Sequence, residues 1–547
     1  MEINLGRIKL VWRGDYVAST AYAVDDLVHY NGSTYVCVTP TNASSFDPAD
    51  WELFASGSPE MDIHGQILYR GSSATRTLNP GVDGQVLTTR GYGANPQWTF
   101  LTSRPGTTVA ALPASGGCYR SAGALMSDGT LSNWGTNVNG QLGVGDTSIK
   151  SAAVTPLLPK TSANITKWVT QGSSNWVLFS DGKVYSWGYN LYGQLGLGDT
   201  VQRLLPTEIT ALANESIVDI VVGHSANRLH ASVFFRSSTG KVFSCGYNAY
   251  GQLGLNDTND RNTPTQLGKT DFASIVVAGT RYTSVFGIDT NNNLFSWGYN
   301  TSGELGLGNT TDTLVPVQVN LPAGVAQVSS TKDDSAVAGV QTGGHTIIKL
   351  IDGRVYTFGR GNEGQLGLNT TTSFSSPQQV PSLGNTNQTV HAFGGHDGFS
   401  VVVKTDGSIR VFGANTYGQL GLNSITDVLS PTEPSGTSGR GGLRKLNAVG
   451  TGGYSALVLL YNNGDVLVAG NNSNGRLGVG TTANEDTFVV VPFQNAKIVD
   501  FVSIGINTEA GIGFLSDDGV YYQTGYSGGS QLGYLTASSL VPHKIVF

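Results

Sequence analysis

Seven tyrosines recur at two fixed places in this chain. Tyr192, Tyr250 and Tyr417 each stand two residues after an Asn and directly before a Gly, whereas Tyr189, Tyr247, Tyr299 and Tyr526 each follow a residue-Gly step. A tyrosine joins a flat apolar ring to a hydroxyl, so several on one surface suit stacking on sugar rings, or packing on neighbouring parts of the chain. Catalytic groups are harder to find. Paired carboxylates could hydrolyse a glycosidic bond, but Asp333-Asp334 and Asp517-Asp518 are sequence neighbours in loops or turns with nothing to set their separation. Asp289-x-Asn291-x-Asn293 opens like a calcium loop yet lacks the following Gly and the distal Glu, and reads as a hairpin turn. Cys37, Cys118 and Cys245 have no close spacing, so they imply neither a disulfide framework nor a metal site. His224, His345 and His396 follow glycines at matching places and read as core. Walker loops and zinc spacings are absent. No catalytic group, cofactor or metal is expected; the tyrosines are the binding candidates.

The elements that must position them repeat eight times. The stretch 181–206 opens on Asp181-Gly182 and rises through Val184-Tyr185-Ser186-Trp187 to Gly188. It then runs Asn190-Leu191-Tyr192-Gly193-Gln194-Leu195-Gly196 and reaches Pro206. The equivalents of Gly188 fall at 135, 246, 298, 359, 413, 470 and 525, and those of Leu195 at 142, 253, 305, 366, 420, 477 and 532. A proline follows each: 156, 206, 264, 316, 377, 431, 492 and 542.

An Asp-Gly turn between alternating aromatic and β-branched runs signals a β-hairpin. The Gly-Gln-Leu-Gly segment reads as a tight turn pinned by a buried leucine, with the proline opening a further extended run. With the run before the next hairpin, each unit of 52 to 61 residues holds about four strands. Such a period predicts a propeller blade, stable only when stacked in a ring. The slot before the glycine holds Trp134, Trp187, Trp297, Phe358 and Phe412, with Cys245, Ala469 and Thr524 elsewhere, and reads as packing between blades.

The element aromatic-Gly-x-Asn-x-x-Gly-Gln-Leu-Gly at 187–196, 297–306 (with Glu304 for Gln) and 412–421 resembles the regulator of chromosome condensation repeat family. The resemblance covers about 107–547 and implies an all-β fold, a β-propeller of four-stranded blades. Eight motifs imply eight blades, whereas the family more often has seven; both counts stay open. The run 540–547 is expected to pair near 109–112 and close the ring.

Two smaller pieces precede the propeller. Residues 1–56 carry Trp12, Tyr30, Tyr35 and Trp51 around an Asn31-Gly32 hairpin signal and resemble the chitin-binding module of bacterial chitinases. The sugar-stacking pair expected there is replaced by Thr39-Pro40, so these four aromatics read first as the core of a mini-domain and second as glycan-binding candidates. Residues 57–106, with His64-Gly65-Gln66-Ile67-Leu68-Tyr69 and Gly84-Gln85-Val86-Leu87, resemble a segment of phage tail-fibre proteins, and read as a linker or shaft with two short strands. That resemblance raises a homo-trimer as an option.

Charged residues make up 13% of the chain and the net charge is -7, with no Lys/Arg cluster, which argues against a nucleic-acid partner. No apolar run is long enough to insert in a membrane, and the first fifteen residues lack the pattern of an export signal. Together with a composition rich in Gly, Asn, Ser and Thr, the resemblances imply a phage virion protein: a tail fibre or receptor-binding protein. Its N-terminal region would hold other virion proteins and its propeller would contact a host surface glycan or protein. A capsid or tail decoration protein with only virion contacts is the alternative, and a glycan-degrading tailspike the second.

Overall fold

The computed structural model describes residues 11–24, 26–30, 33–55, 67–70, 75–78, 85–88 and 97–100. It also describes 108–545 apart from 113–120, 160–161, 224–229, 280–281, 332–342, 395–397, 438, 441, 451–454, 494–495, 505–509 and 527–537. The chain divides into two compact units, Met1–Leu101 and Thr102–Phe547.

In the first unit, strands Val11–Asp15, Asp26–Tyr30, Ser33–Cys37 and Trp51–Ala55 form one sheet in that order. The first pair is parallel and the others antiparallel. Tyr30 pairs with Ser33 across the Asn31-Gly32 turn, which itself lies outside the described residues. Tyr22, Val28, Cys37 and Trp51 make the core, with Tyr16, Tyr35 and Phe46 packed against it. The linker holds four strands, not the two expected: Ile67–Arg70 pairs with Thr75–Leu78 and Gln85–Thr88 with Gln97–Phe100. Runs of four residues are too short for alternation to mark them in sequence.

The second unit is an eight-bladed propeller. Its blades are sequential four-stranded antiparallel sheets at 109–154, 165–208, 217–266, 272–318, 325–379, 387–432, 443–490 and 498–545. The second and third strands of each blade are almost wholly buried, as in Ser174–Phe179 and Val184–Gly188. First strands of neighbouring blades meet each other: Lys167 pairs with Asp219 and Lys445 with Asp500, both at 2.6 Å, and Gln327 exchanges two hydrogen bonds with the backbone of Val390. Fourth strands are the partly exposed outer edges.

Two expectations about the strands are corrected. The last strand, Ser539–Ile545, pairs with Tyr521–Gly525 of its own blade, and Val109–Ala111 pairs with Ser121–Met126. The ring closes without strand exchange, because each blade already holds four strands from contiguous sequence. Blade 8 meets blade 1 as any blade meets the next: Val109 N–H donates to the Gly519 carbonyl at 3.0 Å, as Phe272 does to Gly240 at 3.1 Å. One apolar cluster spans that seam, with Trp134 edge-on to Tyr521 at 5.7 Å. The motif proline, moreover, does not open a new run. Pro206, Pro264, Pro316, Pro377, Pro431 and Pro542 lie inside fourth strands, within the register shifts of their ladders. A bulge on an edge strand is where a residue without an N–H does least harm.

The Gln-Leu-Gly turn is the clasp between blades. Its leucine is buried: Leu195, Leu253, Leu305, Leu366, Leu420 and Leu477 are all fully inaccessible. Just beyond it a backbone N–H donates to the outer strand of the next blade, as from Gly198 to Asn262, Gly308 to Ser375 and Gly480 to Leu540, each at 2.8 Å. Gly193 sits so close to that strand that a Cβ would lie 2.4 Å from the Cα of Asn262, and its φ of +75° also favours glycine.

Candidate functional site

In an antiparallel blade, the loops after the first and third strands emerge at one face, and the hairpin turns at the other. The tyrosine tips therefore share a face with the loops joining first to second strands. Each tip is shaped by its own motif. Asn190 Oδ1 accepts the Leu195 N–H at 2.9 Å, and Gln194 Oε1 accepts the Tyr192 N–H at 3.0 Å. The same bonds recur at Asn248 and Gln252, and at Asn415 and Gln419.

These turns lean each tip on the following blade. Tyr192 of blade 2 stacks on His230 of blade 3 at 4.6 Å and meets Tyr247 edge-on at 5.1 Å, with His230 and Tyr247 4.5 Å apart. One junction further, Tyr250 meets Tyr282 at 5.2 Å and Tyr299 at 5.1 Å, and Tyr282 meets Tyr299 at 5.1 Å. Tyr299 is buried, while Tyr192, Tyr247, Tyr250, His230 and Tyr282 are half-buried. Two adjacent junctions thus hold aromatic trios, each part wedge between blades and part surface. Burial raises the hydroxyl pKa of Tyr299 and of Tyr189.

The other candidates stand at other junctions or in the first unit. Tyr417 is half-buried, with Asn471 at the place of Tyr247 and Tyr299, and Tyr454, at the place of His230 and Tyr282, lies outside the described residues. Tyr189 and Tyr526 are half-buried at their own junctions. In the N-terminal unit, Tyr30 stacks on Phe46 at 4.2 Å, Tyr35 meets Phe46 at 4.7 Å, and Trp51 is buried against Tyr16 and Tyr22. Trp12 lies on the first strand of that sheet, and its side chain is outside the described residues.

Sequence reasoning missed His230 and Tyr282. A signal existed: each stands two residues before a serine whose Oγ donates to the carbonyl of the paired tyrosine, Ser232 to Tyr247 at 2.7 Å and Ser284 to Tyr299 at 2.8 Å.

The remaining chemical candidates are structural where they are described. Asp289 caps its turn, accepting the N–H of Asn291 at 2.9 Å and of Asn293 at 2.8 Å. Burial alone would raise its pKa, but these bonds and Lys269 hold it below the usual range. Asp518 accepts the Ser516 hydroxyl, and Asp333-Asp334 lies outside the described residues. His345 is fully buried, with Nε2 2.9 Å from Ser400 Oγ; His224 and His396 lie outside the described residues. Cys37 and Cys245 are buried free thiols, and burial pushes the Cys245 thiol far up; Cys118 is not described. Among the described residues no cluster of His, Cys, Asp and Glu could hold a metal, and no helix is long and apolar enough to cross a membrane.

The RCC1-like domain model matches residues 84–401, more than half of the chain, and the chain belongs to that family. The ultraviolet-B receptor UVR8 of Arabidopsis thaliana is 33% identical over 264 residues, 48% of this chain and 56% of that protein. The E3 ubiquitin-protein ligase HERC2 of Homo sapiens is 26% identical over 375 residues, 68% of this chain but 7% of that protein. The chain thus spans about half of the first relative and a small part of the second. Among solved structures, human WBSCR16 superposes with a TM-score of 0.51 at 18% identity, covering 71% of this chain and 98% of that one, a likeness of fold alone.

These relatives correct the functional expectation. They are cellular proteins of a plant and a mammal. The reading as a phage virion protein, with its tail or capsid location and its host-attachment role, is therefore withdrawn. The features behind it, a Gly- and Asn-rich palette with few charges, follow from the propeller itself: its turns need those residues whatever the protein does.

Proposed function

We propose that this propeller is an interaction module that docks a partner protein on the face bearing the motif tips, with the trios Tyr192/His230/Tyr247 and Tyr250/Tyr282/Tyr299 as its anchor. One observation carries this: two aromatic clusters at adjacent junctions are left half-exposed on the same face. Rigid rings that lose little entropy on contact are the residues that dominate protein interfaces. Membership of a family whose relatives include a receptor and a ligase fits an interaction role; the activities of those longer proteins are not carried over.

The test is affinity capture from cell extract with the intact chain, comparing wild type with Tyr192→Ala/Tyr250→Ala and with a change on the hairpin face, Asp406→Lys. Proteins retained by wild type and by the hairpin-face variant, but lost from the tyrosine variant at unchanged folding, are the expected result. Equal capture by all three sinks the proposal. Binding of the wild type to a glycan array, abolished by the same tyrosine changes, would replace the protein partner with a sugar.

A further inference from the structure

The three positions that form each aromatic trio have different occupants at the next junction. Between blades 4 and 5, Ser302 stands at the tip where Tyr192 and Tyr250 stand in earlier blades, and Arg360 follows the glycine where Tyr247 and Tyr299 do. Gly343 takes the place of His230 and Tyr282, two residues before the start of the second strand. A Cβ built on Gly343 would meet Ser302 Oγ at 1.6 Å and the Arg360 Cβ at 3.6 Å, so these three residues converge as the trios do. With no rings to fill the wedge, a cavity of about 300 Å³ opens there, lined by Thr301, Ser302, Thr310, Arg360, Asn362, Ser373 and Ser375.

The lining defines what could occupy it. Among the described residues no aromatic or aliphatic side chain lines it, so these residues offer an apolar ligand nothing. Arg360 is the one cation among the described lining residues, and Glu363 holds it through Nε at 3.1 Å and through a second bond from Nη2. Glu304, buried beneath the tip, accepts the Ser302 N–H at 2.7 Å and adds negative charge, so the field does not favour an anion. Among the described residues no carboxylate lines the cavity for a cation to pair with. What remains is five hydroxyls, a carboxamide and a guanidinium already neutralised, offering both donors and acceptors. Its volume lies at the small end of ligand pockets.

We infer that the junction of blades 4 and 5 is a binding site for one neutral, hydroxyl-rich small molecule, a monosaccharide or cyclic polyol. This does not depend on the partner docking proposed above. Ser302, Arg360 and Asn362 bond its hydroxyls, and Thr301, Thr310 and Ser373 form an exposed rim.

The experiment is ligand-observed NMR on the full chain with D-glucose, D-galactose, N-acetyl-D-glucosamine and myo-inositol as neutral probes, and with phosphate and glutamate as anions. The Ser302→Tyr/Arg360→Tyr variant fills the cavity with the rings found at the neighbouring junctions. Saturable binding of a neutral probe, weakened about tenfold or more in that variant but unchanged in Tyr192→Ala, is the expected result. If the double variant does not fold, Asn362→Ala at the exposed rim must show the weakening instead. The inference fails if no neutral probe saturates, if only the anions bind, or if a bound probe is indifferent to both changes.

Discussion

At the residue scale, the slot before the third-strand glycine shows how six non-identical copies keep one hydrogen bond. The carbonyl of the motif Gln, or of its replacement, in one blade accepts a donor from the next. Trp187 Nε1 reaches Gln141 at 3.0 Å, Trp297 Nε1 reaches Gln252 at 3.0 Å, Cys245 Sγ reaches Gln194 at 3.6 Å, and Thr524 Oγ1 reaches Arg476 at 2.7 Å. Phe358 and Phe412 have no donor, and there the residue paired across the ladder supplies it: Thr346 bonds Glu304 at 2.9 Å and Ser400 bonds Gln365 at 3.0 Å. Behind the donating Trp297, Cys245 and Thr524 the same cross-strand place holds Val285, Val233 and Ile512. Thr346→Val should therefore cost about 1–3 kcal/mol, and Phe358→Trp added to it should recover part of that loss. A denaturant double-mutant cycle measures the coupling; additive effects would mean the two positions do not share one acceptor.

The second residue-scale prediction concerns acid. Burial lowers the pKa of His345 to about 3, opposed by a hydrogen bond to the Phe399 backbone and aided by Arg360. Burial lowers His391 to about 4, where its Nε2 faces Thr389 Oγ1. The unfolded chain has these imidazoles near 6.5 and binds their protons first. Their contribution to stability is whole above pH 6.5 and is lost as pH falls toward 4 and then 3. His345→Asn should flatten the dependence of Tm on pH across that window, whatever it does to Tm at neutral pH. A parallel curve, merely displaced, would assign the acid sensitivity to other groups.

At the scale of elements, the outer strands are the exposed risk. Each presents an outer edge with no fifth strand beside it among the described residues, met in several blades by the clasp N–H of the preceding blade, with Leu205, Val315, Val490 and Val541 among the exposed apolar residues. Six carry a proline in a bulge, while blades 1 and 7 have Ala153 and Phe488 at that place. Proline and bulge both spoil an edge as a template for pairing with another chain. Replacing Pro264 and Pro316 by Val should leave the melting transition nearly unchanged but speed aggregation, read by light scattering during a hold below Tm. Unchanged scattering would show that the bulges alone protect the edges.

At the scale of the whole molecule, the ring closes by a repeat of its ordinary junction. Loss of a slot tryptophan at the seam should therefore resemble loss of one inside the ring. Trp134→Ala and Trp297→Ala, both at fully buried positions, should each cost about 3–5 kcal/mol. A much milder Trp134 variant in urea titration would mean that the seam opens easily and is not equivalent to the other junctions.

Much of this was determined by the sequence alone. A turn residue six positions before each third-strand glycine, Asn292 in one copy and glycine in the other seven, with an apolar run between, dictates a hairpin, and a leucine held in register through eight copies dictates a repeated buried contact. These are local, periodic demands, so propeller, four strands per blade and aromatic packing between blades could all be read from spacing. Closure, the site and the partners of each side chain could not be, because they join residues a full blade or a full ring apart. Whether 540–545 pairs with 109–111 or with its own blade depends on how many strands each sheet already holds. Whether a tip tyrosine faces solvent depends on what the next blade sets against it: His230 against Tyr192, Tyr282 against Tyr250, and Gly343 with Arg360 beside Ser302. Equivalent positions look alike along the chain, and only the packing of successive blades turns two of those junctions into aromatic wedges and the third into a polar cavity.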